Sequence, residues 1–436
     1  MNNHPVRKAV FAACFLGTAF AEAELGLEEA IRLALENNYS LSIARDNAAI
    51  AANARRGGAG NFLPSASADL SHSGPLPVDG ATPTTSVGAS VNWLVFDGFQ
   101  NYNGYRRLQS QERAAEFQER QAMEELLENV MVSYYDLVQQ KQRLAAIDDL
   151  ISVSLERFRL SQAKLEVGAG SKLEQLQSQA DLNEDSATYL RQTVSLVQAK
   201  VRLNQLLARE ASLDFDVADS IPLEGTLPLD QWRKALLENN ASVAEARAHK
   251  TTAALSVSEA RGRWMPKLNT GLSYHTSPGV LNSGSVGERD GFSYGINLAI
   301  PLFDRLATPT AVRQAKLNLR QGETGLRQAE AAVEADFEVA RRQYEISLRQ
   351  MSLEERNLQV ARLQAEAAQE KYKLGASTPL EFRDAQTRLL DAEVRLITAR
   401  QSTKQAEAAL QRLAGVLVKR SLTARSPTAR SPAGGR

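Results

Sequence analysis

From Gln100 to Val167 the chain contains no proline and a single glycine, Gly104. Met123, Val130, Leu137, Leu144, Ile151, Phe158 and Leu165 recur there at intervals of seven. Seven residues is close to two helical turns, so these side chains form one stripe, the seam of a coiled coil. At ~1.5 Å per residue such a helix is roughly 100 Å long, too long for a compact domain. It ends at Val167-Gly168-Ala169-Gly170-Ser171, where glycine permits a tight reversal. A return helix is expected over 172–209, with Ala180, Ala187, Val194, Val201 and Ala208 as its own seven-residue seam.

The unit then recurs. Glu36-Asn37-Asn38 returns as Glu238-Asn239-Asn240 and Leu63-Pro64 as Met265-Pro266, both displaced by 202 residues. Phe96-Asp97 returns as Phe303-Asp304, and the turn at Gly168 as Leu374-Gly375-Ala376-Ser377-Thr378, displaced by 207. A second long helix is expected over 310–374, with Phe337, Tyr344, Met351, Leu358, Ala365 and Tyr372 as its seam, and a return helix over 379–413. The two repeats span 24–212 and 229–415, joined by a linker over 213–228 that holds Pro222 and Pro228.

Between the short opening helices and each long helix the period changes to two. Strands are expected at 65–73, 84–96, 268–276 and 290–300. In the second, Val87, Ala89, Val91, Trp93 and Val95 share a face opposite Ser86, Gly88, Ser90 and Asn92. In the fourth, Phe292, Tyr294, Ile296, Leu298 and Ile300 oppose Ser293, Gly295 and Asn297. Apolar on one face and small and polar on the other is the pattern of a strand between lipid and water, and ~9–11 residues suffice to cross a bilayer. The plainer reading of such strands alone is a pair of hairpins packed on helices.

The ends decide between these readings. Arg7 and Lys8 precede an apolar run from Ala9 to Phe20, and Ala19-Phe20-Ala21 or Ala21-Glu22-Ala23 offers a cleavage site: residues 1–23 read as a secretory signal. The only cysteine, Cys14, lies within it and faintly resembles a lipoprotein box. No later run is apolar enough for a membrane helix, so insertion has to use strands. The tail from 416 to 436 is basic, repetitive and expected to be disordered. Between Glu24 and Val418 stand 44 basic and 50 acidic residues, which argues against nucleic acid as a partner. His72, His249 and His275 show no metal-ligand spacing, and no nucleophile or phosphate-loop motif occurs, so neither an enzyme nor a cofactor or metal site is expected.

Four strands cannot close a barrel, and open strand edges are not tolerated in lipid. The barrel therefore has to be shared between chains; three chains would supply twelve strands and a tube of twelve helices. The expected fold class is an α+β membrane protein, mainly long α-helical coiled-coil hairpins plus four transmembrane β-strands per chain.

The duplicated order of these motifs resembles the TolC family of outer-membrane efflux proteins, over about residues 26–415. The resemblance implies a homotrimer in the cell outer membrane with a periplasmic helical extension. It implies an exit duct for efflux or type I secretion, docked to a periplasmic adaptor (membrane fusion protein) and an inner-membrane pump of the RND or ABC type. It places acidic rings around the closed aperture at Glu381 and Asp384, and a tie between coiled coils at Tyr372 and Glu174. It makes the tips Gly168, Ala169, Gly170, Ser171 and Gly375, Ala376, Ser377, Thr378 adaptor-docking sites. An arginine that some members carry in the second tip is Ser377 here. Carboxylates early in a helix are favoured by the macrodipole in any case, so Glu381 and Asp384 have a purely structural reading too. A periplasmic adaptor or a coiled-coil envelope spacer are the competing readings, though neither requires four alternating strands.

Overall fold

The computed structural model of the protein describes residues 24–73, 84–223, 225, 227–276 and 291–417. The expected signal segment with Cys14, the two strand-to-strand loops and the tail beyond 417 lie outside the described residues. Among the rest the order is α1 (Leu27–Asn37), α2 (Tyr39–Ala59), β1 (Ser65–Ser73), β2 (Thr84–Phe96), α3 (Gln100–Glu166) and α4 (Lys172–Leu206). The second set is α5 (Leu229–Asn239), α6 (Ala241–Gly262), β3 (Lys267–Thr276), β4 (Gly291–Ala299), α7 (Ala307–Lys373) and α8 (Pro379–Leu413). Each long helix has 67 residues. No described helix is long and apolar enough to cross a membrane.

The repeated Glu-Asn-Asn acquires a reason. The Asn38 carbonyl oxygen caps α2 by accepting from Leu41 N at 3.1 Å, while its amide donates to Leu206 O at the end of α4, 2.9 Å away. Asn240 does the same for α6 and α8, accepting from Ser242 N at 3.0 Å and donating to Leu413 O at 3.1 Å. One side chain satisfies orphan groups at two helix ends. The repeated Phe-Asp has a parallel role: Asp97 accepts from Asn101 N and Asp304 from Thr308 N, each at 2.7 Å, at the start of a long helix.

Two helix boundaries move by three residues, and the limits of β3 and β4 by one. Helix α7 begins at Ala307 rather than 310, because Pro309 falls in the first turn, where no helical N–H is required. Helix α4 stops at Leu206 rather than 209, since Ala208 turns left-handed at φ 51°, where the second repeat has Gly415 at φ 65°. The segment expected as a linker is packed: Phe215, Val217, Ile221 and Leu227 are buried, and Lys141 on α3 grips Asp216 and Asp219 at 2.7 Å. The expected α4 seam is also displaced. Val194 and Val201 are exposed, whereas Ser178, Asp185 and Ala199 are buried; the polar heptad line, not the apolar one, faces inward.

The four strands form one antiparallel sheet in the order β1-β2-β3-β4. Its register aligns Ser67, Ser90, Ser273 and Ser293 in one rung across all four strands. Within that rung the hydroxyls of Ser67 and Ser90 lie 3.0 Å apart and those of Ser273 and Ser293 2.8 Å. The opposite face carries Leu70, Val87, Val91, Trp93, Leu272, Phe292, Tyr294, Ile296 and Leu298, all exposed. Helices α2 and α6 flank the upper parts of α3 and α7; α4 and α8 flank the lower parts. The cores lie at mid-height and repeat each other. Val130, Leu137 and Leu203 fill one, and Phe337, Tyr344 and Leu410, each 207 residues later, fill the other.

Where sheet meets helices, Gly98 turns at φ 73° against Gly262, the last residue of α6. A Cβ on Gly262 would stand 2.5 Å from the Gly98 carbonyl oxygen. Gly262→Ala is therefore expected to cost about 1–3 kcal/mol, measured as a fall in the midpoint of thermal unfolding by circular dichroism. An unchanged midpoint would show that this crossing is not tight.

Candidate aperture at the hairpin tips

Both hairpins reverse by the same local chemistry. Gly168 and Gly375 sit at φ 76° and 73°, the left-handed conformation in which a helix end is closed by backbone bonds. Ala169 N donates to Lys164 O and Ala376 N to Lys371 O, each at 2.8 Å. The return helices start on hydroxyl caps: Ser171 accepts from Glu174 N at 3.1 Å and Thr378 from Glu381 N at 3.2 Å. Ala169, Gly170, Ala376 and Ser377 complete the two turns. Four apolar side chains stand open beside them: Val167 and Leu374 before the turns, Leu173 and Leu380 after.

The structure brings Tyr372 and Glu174 together. The Tyr372 hydroxyl donates to Glu174 Oε1 at 3.1 Å, joining α7 to α4. Its ring is 3% exposed, stacks on Phe382 with centroids 5.0 Å apart, and has the Lys164 ammonium 4.6 Å from its centroid. Burial, then the Glu174 carboxylate, push the phenol up to about 12. The folded state thus holds the proton more tightly than the unfolded one. That contribution is complete below the ordinary value of 10.0 and is lost as pH climbs through about 12.

Glu381 and Asp384 have different surroundings. The Glu381 carboxylate accepts from Ser377 Oγ at 2.7 Å and from Thr378 N at 3.1 Å, closing a capping box. Those bonds, the Ser377 hydroxyl first, hold its carboxyl below the ordinary range. Asp384 is exposed and pairs with Arg388 one turn along α8, at 2.9 Å. Glu381 is thus engaged in holding its own turn, whereas Asp384 presents charge to solvent.

A stronger link went unread in the sequence. Arg383 on α8 grips Asp185 on α4 through two bonds of 2.7 and 2.8 Å. Asp185 also accepts from Ser154 Oγ on α3 at 2.6 Å. The Asp185 carboxylate raises the Arg383 guanidinium. Next along the same seam Arg157 pairs with Asp181, and Ser161 meets Ser178 at 2.6 Å. The signal available in the sequence was Asp185 seven residues beyond Ser178 and seven before Gln192: a charge on a buried heptad line demands a counter-charge. Among the described residues no group of three or more His, Cys, Asp or Glu could hold a metal ion.

Comparison with known proteins agrees with the fold. The family model described as outer membrane efflux protein matches residues 30–209 and 232–416. Outer membrane efflux protein BepC of Brucella suis is 23% identical over 424 residues, covering 94% of this chain and 90% of that protein. Alkaline protease secretion protein AprF of Pseudomonas aeruginosa is 28% identical over 240 residues, 52% of this chain and 48% of that protein. The crystal structure of the Campylobacter jejuni CmeC outer membrane channel superposes with a TM-score of 0.80 at 18% identity, covering 93% of this chain and 90% of that one. The open state of the Neisseria gonorrhoeae MtrE outer membrane channel does so at 0.75 and 18%, covering 90% and 89%.

Removing Arg383 leaves the buried Asp185 with Ser154 alone. Arg383→Met is expected to cost about 3–5 kcal/mol and to raise hydrogen exchange over the lower parts of α4 and α8. Arg388→Met, at an exposed pair, is expected to cost no more than ~1 kcal/mol. Equal effects of the two, read by hydrogen exchange and thermal unfolding, would remove Arg383 from its place as the main link.

Proposed function

The chain belongs to the outer membrane efflux protein family, and we propose that three copies of it close into one channel whose periplasmic tips form a gated aperture. The protein is an outer-membrane exit duct with a helical extension into the periplasm. The observation that carries the assembly is a mismatch between the repeats. On α8, Ala408 is 1% exposed against the first repeat; its counterpart on α4, Val201, is 39% exposed. On α3, Gln139 is buried and bonds Thr398 of α8; its counterpart on α7, Ile346, is 57% exposed. The apolar line Val339, Ile346, Leu353, Val360 on α7 and the line Leu190, Val194, Val197, Val201 on α4 both stand open. A neighbouring copy set on the same pseudo-symmetry brings these two lines together.

The same operation pairs the free edge of β4 with the free edge of β1 in the next copy. Two copies would give a barrel of eight strands, whose interior is just wide enough for side chains. Three give twelve strands and leave a lumen lined by the serine rung. The exposed apolar face then meets lipid over the whole circumference.

At the other end, Tyr372–Glu174 and Arg383–Asp185 hold the α7–α8 hairpin against α3–α4, which is the closed arrangement. Asp384, repeated three times, supplies a ring of negative charge that favours cations. Glu381 contributes less to selectivity because its carboxylate is held in the capping box. Val167, Leu173, Leu374 and Leu380 with the tip residues offer an apolar surface to a periplasmic adaptor, which connects the duct to an inner-membrane pump of the RND or ABC type. Efflux and type I secretion use the same kind of duct; among the relatives BepC is an outer membrane efflux protein and AprF an alkaline protease secretion protein.

Single-channel recording in planar bilayers tests the aperture. Asp384→Asn is expected to lower cation-over-anion selectivity several-fold, and Glu381→Gln to lower it less. Tyr372→Phe combined with Asp185→Asn is expected to raise conductance. Unchanged selectivity in Asp384→Asn would exclude that residue from the aperture.

A further inference from the structure

Between α3, α7 and α8, a few turns from the tips, lies a cleft of about 290 Å³. Leu150 of α3 and Phe382 and Leu390 of α8 give it an apolar floor. Gln386 of α8 also lines it. That residue is only 6% exposed, and neither its side-chain oxygen nor its nitrogen has a hydrogen-bond partner. Buried amides are almost always satisfied, so one left bare in a cleft points to an absent ligand.

The charge around the cleft is unbalanced. Asp149, Glu366 and Glu393 line it against a single guanidinium, Arg362. Arg362 reaches Glu393 only at 3.7 Å. Burial pushes the Glu393 carboxyl above its ordinary range, Arg362 opposes this, and Asp149 adds to it. An anion is repelled here, and an inorganic cation would leave the apolar floor uncovered.

We propose that this cleft binds an amphipathic organic ammonium ion, with its apolar body on Leu150 and Leu390 and its charge beside Glu393 and Asp149, and that the shielded, unpaired Gln386 amide turns toward the cleft so that its oxygen accepts an N–H from the ligand. Such a ligand supplies a donor for the Gln386 oxygen, a positive charge and an apolar surface. It touches α3 and the α7–α8 hairpin at once and so braces one hairpin against the other. The site is separate from the aperture carboxylates and goes beyond the duct reading, which makes no use of Gln386.

The test is fluorescence titration of monodansylcadaverine, an apolar fluorophore bearing a primary ammonium, into the full-length protein in detergent against a protein-free detergent blank. Saturable binding with blue-shifted emission is expected. Affinity should fall at least tenfold in Glu393→Gln and in Gln386→Leu, and stay unchanged in Glu156→Gln on the exposed face of α3. Circular dichroism checks folding; should Gln386→Leu misfold, the isosteric Glu393→Gln carries the result. Either an absence of saturable binding to the wild-type protein or equal affinity in the cleft variants would overturn the proposal. None of these outcomes bears on the duct reading, which is decided by channel selectivity.

Discussion

A peptide group in hydrocarbon has no water to bond, so every strand in a bilayer needs a strand on each side. The sheet of this chain meets that requirement on its inside only. Strands β2 and β3 are paired on both edges, while β1 and β4 each keep one edge free. The apolar side chains on one face, Trp93, Phe292, Tyr294 and Ile296 among them, are exposed as well. Both features are unfavourable in water and favourable in a closed barrel surrounded by lipid. The long helices continue directly from β2 and β4, so closing the barrel also arranges the helices in a ring.

Seams of two chemistries divide the helical part. At mid-height Val130, Leu137, Leu203, Phe337, Tyr344 and Leu410 are buried in apolar clusters. Exposing such a seam would cost about 25 cal/mol for each Å² of apolar surface, which fits a part that stays closed. Toward the tips the seam between α3 and α4 turns polar, with Ser154, Arg157, Ser161, Ser178 and Asp185 buried. These are joined by hydrogen bonds, those to Asp185 and from Arg157 charge-assisted, strong in place but replaceable by water once separated. A polar seam can therefore be both specific when shut and tolerable when open. Tyr372 and Arg383 belong to this polar region, close to the turns at Gly168 and Gly375.

Much of this was legible in the residues. The heptads of α3 and α7, the alternation in the strands and the displacement of 202 to 207 residues between repeats have physical periods that can be counted. What escaped depends on three-dimensional pairing. The α4 seam was expected on Ala180, Ala187, Val194 and Val201 because they are apolar, yet Ser178, Asp185 and Ala199 are the ones buried within the chain. Two heptad lines on one helix cannot be ranked by hydrophobicity alone, and the exposed one is the line proposed to meet a neighbouring copy. The Asn38 and Asn240 caps were visible only as a repeat, since their partners lie 168 and 173 residues away. Glu381 and Asp384 looked equivalent, and only the bonds from Ser377 and Thr378 separate them. The segment over 213–228 read as a linker because of its prolines, although Phe215 and Val217 point inward.

The proposed channel requires that a single chain be one third of it. Native mass spectrometry of the protein extracted from outer membranes in detergent tests it most directly. The prediction is a particle of three chains that persists on dilution. A stable monomer, or a particle of two chains, would contradict the pairing of β4 with β1 and of α7 with α4 on which the channel is built.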